Sequence, residues 1–152
     1  MVLEPGASVP TLRATNQWGE TVEPAFQAPT VVYFYPEDDT SGCTIEATQF
    51  NEYAKEQEAV GVTVYGVSTD TVESHCDFAE EHGLAFDLLA DPDGKLAEAF
   101  DVDLVDGRAG RTTFVVVDGQ VVAVYEGVRP DGHAAEVVRD LREVGLLPTS
   151  EQ

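Results

Sequence analysis

The run Val31-Val32-Tyr33-Phe34-Tyr35, followed by Pro36-Glu37-Asp38-Asp39-Thr40-Ser41-Gly42 and then Cys43, sets the architecture of this 152-residue chain. Its first five residues are apolar, rich in β-branched and aromatic types, and show no polar alternation. Such a run reads as a strand buried on both faces, as at the centre of a parallel sheet. Pro36 has no N–H to give to a ladder and ends the strand, and Glu37 to Gly42 read as a polar loop. The periodicity then changes. Cys43, Ala47, Phe50 and Ala54 recur at helical spacing on one face, with Gly61 as the stop.

Working outward, Val62 to Val67 reads as a second buried strand. Thr69 or Asp70 can cap the helix after it, whose apolar stripe is Val72, Cys76 and Ala79, with Gly83 as its stop. Phe86 to Leu89 suits a short strand, Asp91-Pro92-Asp93-Gly94 a turn and Lys95 to Phe100 a short helix. Thr113 to Val117 and Val121 to Tyr125 form a hairpin through Asp118-Gly119, a dipeptide favoured in tight turns. The last helix carries Ala134, Val137, Val138, Leu141 and Val144. Before all of these, Thr11-Leu12-Arg13 and Glu20-Thr21-Val22 flank Asn16-Gln17-Trp18-Gly19 as a small hairpin. The order β-α-β-α followed by β-β-α predicts an α/β chain of thioredoxin-like fold. A central mixed sheet is flanked by helices and preceded by an N-terminal β-hairpin, in one domain over residues 1–152.

Composition narrows the setting. Hydrophobic residues make up 43% of the chain and aromatics 9%, enough for a packed core. Residues Met1 to Pro5 lack the basic and apolar regions of a secretory signal. No apolar run reaches the roughly 18 residues of a membrane span. Two cysteines, Cys43 and Cys76, are too few for a disulfide framework, so the expected location is the cytoplasm. Twenty-nine acidic residues against eight basic ones give a net charge of -21, spread along the chain. Nucleic acid and anionic membranes are thereby poor partners. Self-repulsion of this size is tolerable where salt screens it, since the Debye length falls from about 8 Å at physiological salt to about 3 Å at 1 M. The composition is accordingly similar to that of halophilic proteins.

The chemistry concentrates at Cys43. A cysteine in the first turn of a helix meets unpaired N–H groups and the positive end of the helix dipole, which favour an anion. A thiol so placed is expected to be more acidic and more reactive than a free one. Acidity alone achieves little. A thiol of pKa about 8.5 is about 3% ionised at pH 7, and lowering it to roughly 6 raises the thiolate about 30-fold. The accompanying fall in nucleophilicity takes back about tenfold. Donors aimed at the breaking bond must supply the remainder. His75, His82 and His133 have no ligand spacing with the cysteines, so no metal site is expected.

In this segment the chain resembles the peroxiredoxins, specifically the Q-type or bacterioferritin-comigratory subgroup, through the spaced set Pro36, Thr40 and Cys43. The resemblance extends through Gly66-Val67-Ser68, Glu73-Ser74-His75, Phe78-Ala79-Glu80, His82-Gly83-Leu84, Arg111-Thr112-Thr113-Phe114, Gly127-Val128 and Gly132-His133. It implies a thiol-dependent peroxidase for hydrogen peroxide and small organic hydroperoxides, with no metal, haem or flavin. Cys43 would attack the peroxide and become a sulfenic acid. Thr40 and the Cys43 N–H would hold the peroxide oxygens, Arg111 would stabilise thiolate and leaving oxygen, and Pro36 would shield the sulfenate. Glu46 could orient Arg111 by a charge-assisted hydrogen bond.

The subgroup often carries its resolving cysteine five residues after the attacking one, a position held here by Thr48. Resolution is left to Cys76 in the next helix, which could instead be a buried structural cysteine, or to an external thiol. The expected partners are a hydroperoxide and a thioredoxin-like or small-thiol reductant, with the chain a monomer or weak homodimer. Two rivals stand beside this reading. A disulfide reductase of the same fold would need a Cys-x-x-Cys pair, which is missing. A redox sensor or chaperone-like protein would oxidise Cys43 without turnover.

Overall fold

Every residue of the strand Thr30–Phe34 is buried, and its side chains divide between two cores. Val31, Tyr33 and Tyr35 enter one core, Val32 and Phe34 the other. That is the period-two alternation of a strand with no solvent face, which accounts for the unbroken apolar run. The computed structural model describes residues 4–24, 26, 29–38, 40–59 and 63–143, without the side chains of 53–59.

In chain order the elements are β1 (Ala14–Thr15), β2 (Thr21–Val22), β3 (Thr30–Phe34), α1 (Ser41–Ala59), β4 (Thr63–Ser68), α2 (Val72–His82), β5 (Asp87–Ala90), α3 (Lys95–Ala99), β6 (Leu104–Val105), β7 (Arg108–Ala109), β8 (Thr112–Val117), β9 (Gln120–Glu126) and α4 (Pro130–Glu143). Among the described residues, seven strands form one sheet in the order β2-β1-β5-β4-β3-β8-β9. β3 runs parallel to β4 and antiparallel to β8, and β4 runs parallel to β5. The expected mixed sheet with parallel crossovers and a closing hairpin is therefore present.

The first core lies under α1, α2 and α4, through Ala47, Phe50, Phe78, Ala79, Val137 and Leu141. Phe50 stacks on Tyr33 with ring centroids 4.7 Å apart, and burying one such ring stabilises the fold by about 1.5–3 kcal/mol. The second core holds Leu96 and Ala97 of α3 with Phe100 just after it, against Phe34 and Phe114. Asp118 and Gly119 take φ of 54° and 73°, the left-handed pair that a two-residue hairpin turn requires.

Four local expectations need correction. α1 begins at Ser41, so Ser41 and Gly42 belong to the helix and not to the loop. The cap of α2 is Thr71, whose hydroxyl accepts from the Ser74 N–H. Thr69 and Asp70 are engaged elsewhere, Thr69 donating to the Gly107 carbonyl and Asp70 accepting from Ser68 and the Asp38 N–H. The buried residues of α2 are His75, Phe78 and Ala79, with Cys76 only half-buried. The first strand of the N-terminal hairpin is Ala14–Thr15 instead of Thr11–Arg13. The hairpin β6–β7 was not expected. Asp39, Gly61, Val62 and Val144 lie outside the described residues, as does the side chain of Ala54.

Candidate active site

Cys43 is the third residue of α1 and is 1% exposed. β3 delivers the chain to this point. After Phe34, the Tyr35 N–H still bonds to the Val67 carbonyl at 3.0 Å. The chain then bends at Pro36 and turns into the helix through Thr40. Thr40 is the cap: its Oγ1 accepts from the Cys43 N–H at 3.4 Å and donates to the Glu37 carbonyl at 3.2 Å. Both bonds are longer than the usual 2.9–3.0 Å. Pro36 stands half-buried at the strand exit.

The first turn of α1 contains no acidic residue, whereas α2, α3 and α4 carry Glu73, Glu98 and Asp131 in theirs. In so acidic a chain, this leaves the positive end of one helix free for the sulfur.

Arg111 precedes β8. The pairing of β8 with β3 sets Thr112 opposite Phe34, which brings Arg111 beside the start of α1. Its Nη2 lies 3.3 Å from Cys43 Sγ and its Nη1 donates to Glu46 Oε1 at 2.9 Å. Glu46 follows Cys43 by three residues, so the two side chains share one face of α1. Its carboxylate is fully buried, and Oε2 has no hydrogen-bond partner among the described residues. Burial pushes its pKa up to about 7, against the lowering effect of Arg111.

Gly42 was not singled out from the sequence. A Cβ there would stand 2.7 Å from Arg111 Nη2 and 3.2 Å from Pro130 Cγ. The guanidinium therefore occupies the space that any side chain at position 42 would claim. Read as the end of a polar loop, the glycine gave no signal; only its place inside α1 calls for a packing reason.

A second group was also missed. Asp38 accepts from Tyr35 OH at 2.6 Å, from Ser74 Oγ at 2.7 Å and from His75 Nδ1 at 2.7 Å. Its own N–H donates to Asp70 Oδ2 at 2.7 Å, which also accepts from Ser68 Oγ at 2.7 Å. Asp38, Asp70 and His75 have ligand atoms within 4.8 Å of one another, and the bonds from Tyr35, Ser68 and Ser74 join the same group. The set is a hydrogen-bond network.

Cys43 and Cys76 are both free thiols. Cys76 sits on α2 outside the site just described. Partial burial, and then the charges of Glu80, Asp77 and Glu73, push its thiol above the usual range. Thr48, five residues after Cys43, spends its hydroxyl on the carbonyls of Thr44 and Ile45.

The mixed sheet and its flanking helices place the chain among the thioredoxin-fold proteins. Comparison with known proteins gives the family. Residues 5–125 match the AhpC/TSA family. Peroxiredoxin Bcp of Bacillus subtilis is 35% identical over 154 residues, covering 95% of this chain and 98% of its own. Peroxiredoxin Bcp of Xanthomonas campestris is 40% identical over 120 residues, covering 74% and 75%. A solved structure of the X. campestris bacterioferritin comigratory protein, from work on its alkyl peroxide reduction activity, superposes with a TM-score of 0.84 at 33% identity. It covers 93% of this chain and 99% of its own. The chain belongs to the AhpC/TSA family, as a peroxiredoxin of the Bcp and Q type, and is a thiol-dependent peroxidase. Among the described residues, no helix is long and apolar enough to cross a membrane.

Proposed function

We propose that Cys43 is the attacking thiol and that hydrogen peroxide and small organic hydroperoxides are its substrates. Reduction of alkyl peroxides is an activity of the X. campestris relative. The thiolate Sγ attacks the terminal peroxide oxygen. The S–O bond forms as the O–O bond breaks, the second oxygen takes a proton and leaves as water or an alcohol, and Cys43 becomes a sulfenic acid. Arg111 Nη2 holds the charge that moves from sulfur to the leaving oxygen. Thr40 Oγ1 and the Cys43 N–H, released from their long mutual bond, hold the two oxygens. Donors aimed at a charge developing away from water are worth several kcal/mol each. Glu46 fixes the guanidinium, and Pro36 closes the loop over the sulfur. The observation that carries this reading is the 3.3 Å contact of Arg111 with Cys43 at the helix start.

The sulfenic acid is resolved by Cys76. Its sulfur attacks Cys43 Sγ, the S–O bond breaks, and hydroxide leaves as water with the thiol proton. A disulfide needs Cα atoms within about 7 Å, so α2 must open for this step. A thioredoxin-like or small thiol then restores both cysteines. The setting is the cytoplasm, which keeps thiols reduced, with molar salt screening the surface charge, and the enzyme works as a monomer or weak homodimer. The test is intact mass after one equivalent of hydrogen peroxide. Loss of two mass units in the wild type, and a sulfenic acid in Cys76→Ser, is expected. A sulfenic acid in both proteins would assign resolution to an external thiol.

A further inference from the structure

The loop from Pro36 to Thr40 is held by a partner remote in sequence. Asp38 is buried, as is His75 of α2, and the two meet at 2.7 Å. The other ring nitrogen, Nε2, faces the Leu89 carbonyl at 3.2 Å. Both ring nitrogens are thus engaged, one by the Asp38 carboxylate and one by a backbone carbonyl. Ser74, also of α2, adds a bond to the same carboxylate oxygen, and Tyr35 takes the other. Two consecutive residues of α2 are therefore tied to a residue of the loop that carries Thr40.

Cys76 is the next residue along α2, about 100° further round the helix axis. α2 cannot unwind through Ser74 to Cys76 without breaking the bonds to Asp38. Breaking them leaves a buried carboxylate without two of its donors, a costly state, and leaves the loop beneath Thr40 held at Asp38, among the described residues, by Tyr35 and Asp70 alone.

We propose that Asp38 and His75 are positioning residues that bind the peroxide loop and α2 into one unit, so that the loop is fixed when α2 is closed and loosened when α2 opens. This rests on the reading of Cys43 as the attacking thiol. One contact then serves both halves of the cycle: the closed clasp favours peroxide attack, and the open clasp lets Cys76 approach Cys43.

The test has two arms. In a Cys43→Ser background, hydrogen exchange of the α2 amides, read by mass spectrometry, reports α2 opening whether or not Cys76 resolves the sulfenic acid. His75→Gln is expected to raise that rate at least tenfold, and Ser74→Ala to raise it less. With Cys43 present, His75→Gln is expected to slow oxidation by hydrogen peroxide about tenfold. Val138→Ala, in the core under α4, serves as a control for general loss of stability. An equal rise in α2 exchange for Val138→Ala at matched melting temperature, or an unchanged rate for His75→Gln, would overturn the clasp. Should His75→Gln fail to fold, Ser74→Ala alone decides: a rate equal to the parent's would reject it. Wild-type oxidation at a site other than Cys43 would instead remove the reading beneath it.

Discussion

Arg111 Nη2 lies 3.3 Å from Cys43 Sγ, although 68 positions separate the two residues. The contact depends on the antiparallel register of β8 on β3, which carries Arg111 to the mouth of α1. Because Nη1 is engaged with Glu46, the guanidinium has a fixed plane and presents one N–H edge to the sulfur. Arg111→Ala is expected to slow Cys43 oxidation by roughly 100-fold, the usual cost of one well-aimed donor. Arg111→Lys should recover only part of it, because an ammonium cannot hold both partners in a plane. Stopped-flow rates with hydrogen peroxide check this, and an Arg111→Ala rate within threefold of wild type would contradict it.

Gly42 gives the guanidinium its room. Alanine there would put a methyl 2.7 Å from Arg111 Nη2. The arginine end can swing aside, so the fold survives, and alanine is the better helix former by about 1 kcal/mol. Gly42→Ala is therefore expected to keep its melting temperature while losing about tenfold in peroxide rate. Thermal denaturation and stopped-flow on one preparation check both halves.

Glu46 connects the site to pH. Its pKa is about 7, against an ordinary 4.5. Between these values the folded state holds a proton that the unfolded state has released, so this group's contribution to stability falls as pH rises from about 4.5 to about 7. The amount is on the order of 3 kcal/mol. Glu46→Gln removes the titration and keeps an acceptor for Arg111. The stability difference between variant and wild type should therefore shift in the variant's favour from pH 4.5 to 7 and stay level above. Denaturant titrations at several pH values measure it, and a constant difference would count against the buried carboxylate.

The surface carries a net charge of -21, and its repulsion weakens as salt shortens the Debye length. The melting temperature should rise by about 5 °C or more between 0.1 M and 1 M KCl, a gain of one to two kcal/mol. An unchanged value would show that the acidic surface needs no screening.

Much of this arrangement was legible in the sequence, where the physics is local. The apolar run of β3 declared its burial on both faces, Asp118-Gly119 declared its turn, and Pro36 and Thr40 lie on the short loop that leads to Cys43 in the first turn of α1. What stayed hidden depends on distant partners. Cys76 shares helical spacing with Val72 and Ala79 and looked like the buried stripe of α2. His75 is buried instead, between Asp38 and the Leu89 carbonyl, partners that lie 37 and 14 positions away. Asp70 looked like a cap until Ser68 and Asp38 claimed it. β6–β7 has only two residues per strand, and Leu104 and Val105 are exposed. No amphipathic pattern marked it, although Asp106-Gly107 was a turn signal of the kind read at Asp118-Gly119.

The most direct test of the central claim is to trap the oxidised sulfur. Reduced Cys76→Ser is treated with one equivalent of hydrogen peroxide in the presence of dimedone, and the adduct is located by peptide mass. The account predicts one adduct, on Cys43, and none in Cys43→Ser, which should also have lost peroxide turnover with a thiol reductant. Undiminished turnover in Cys43→Ser, or a Cys43 that remains unmodified, would contradict it.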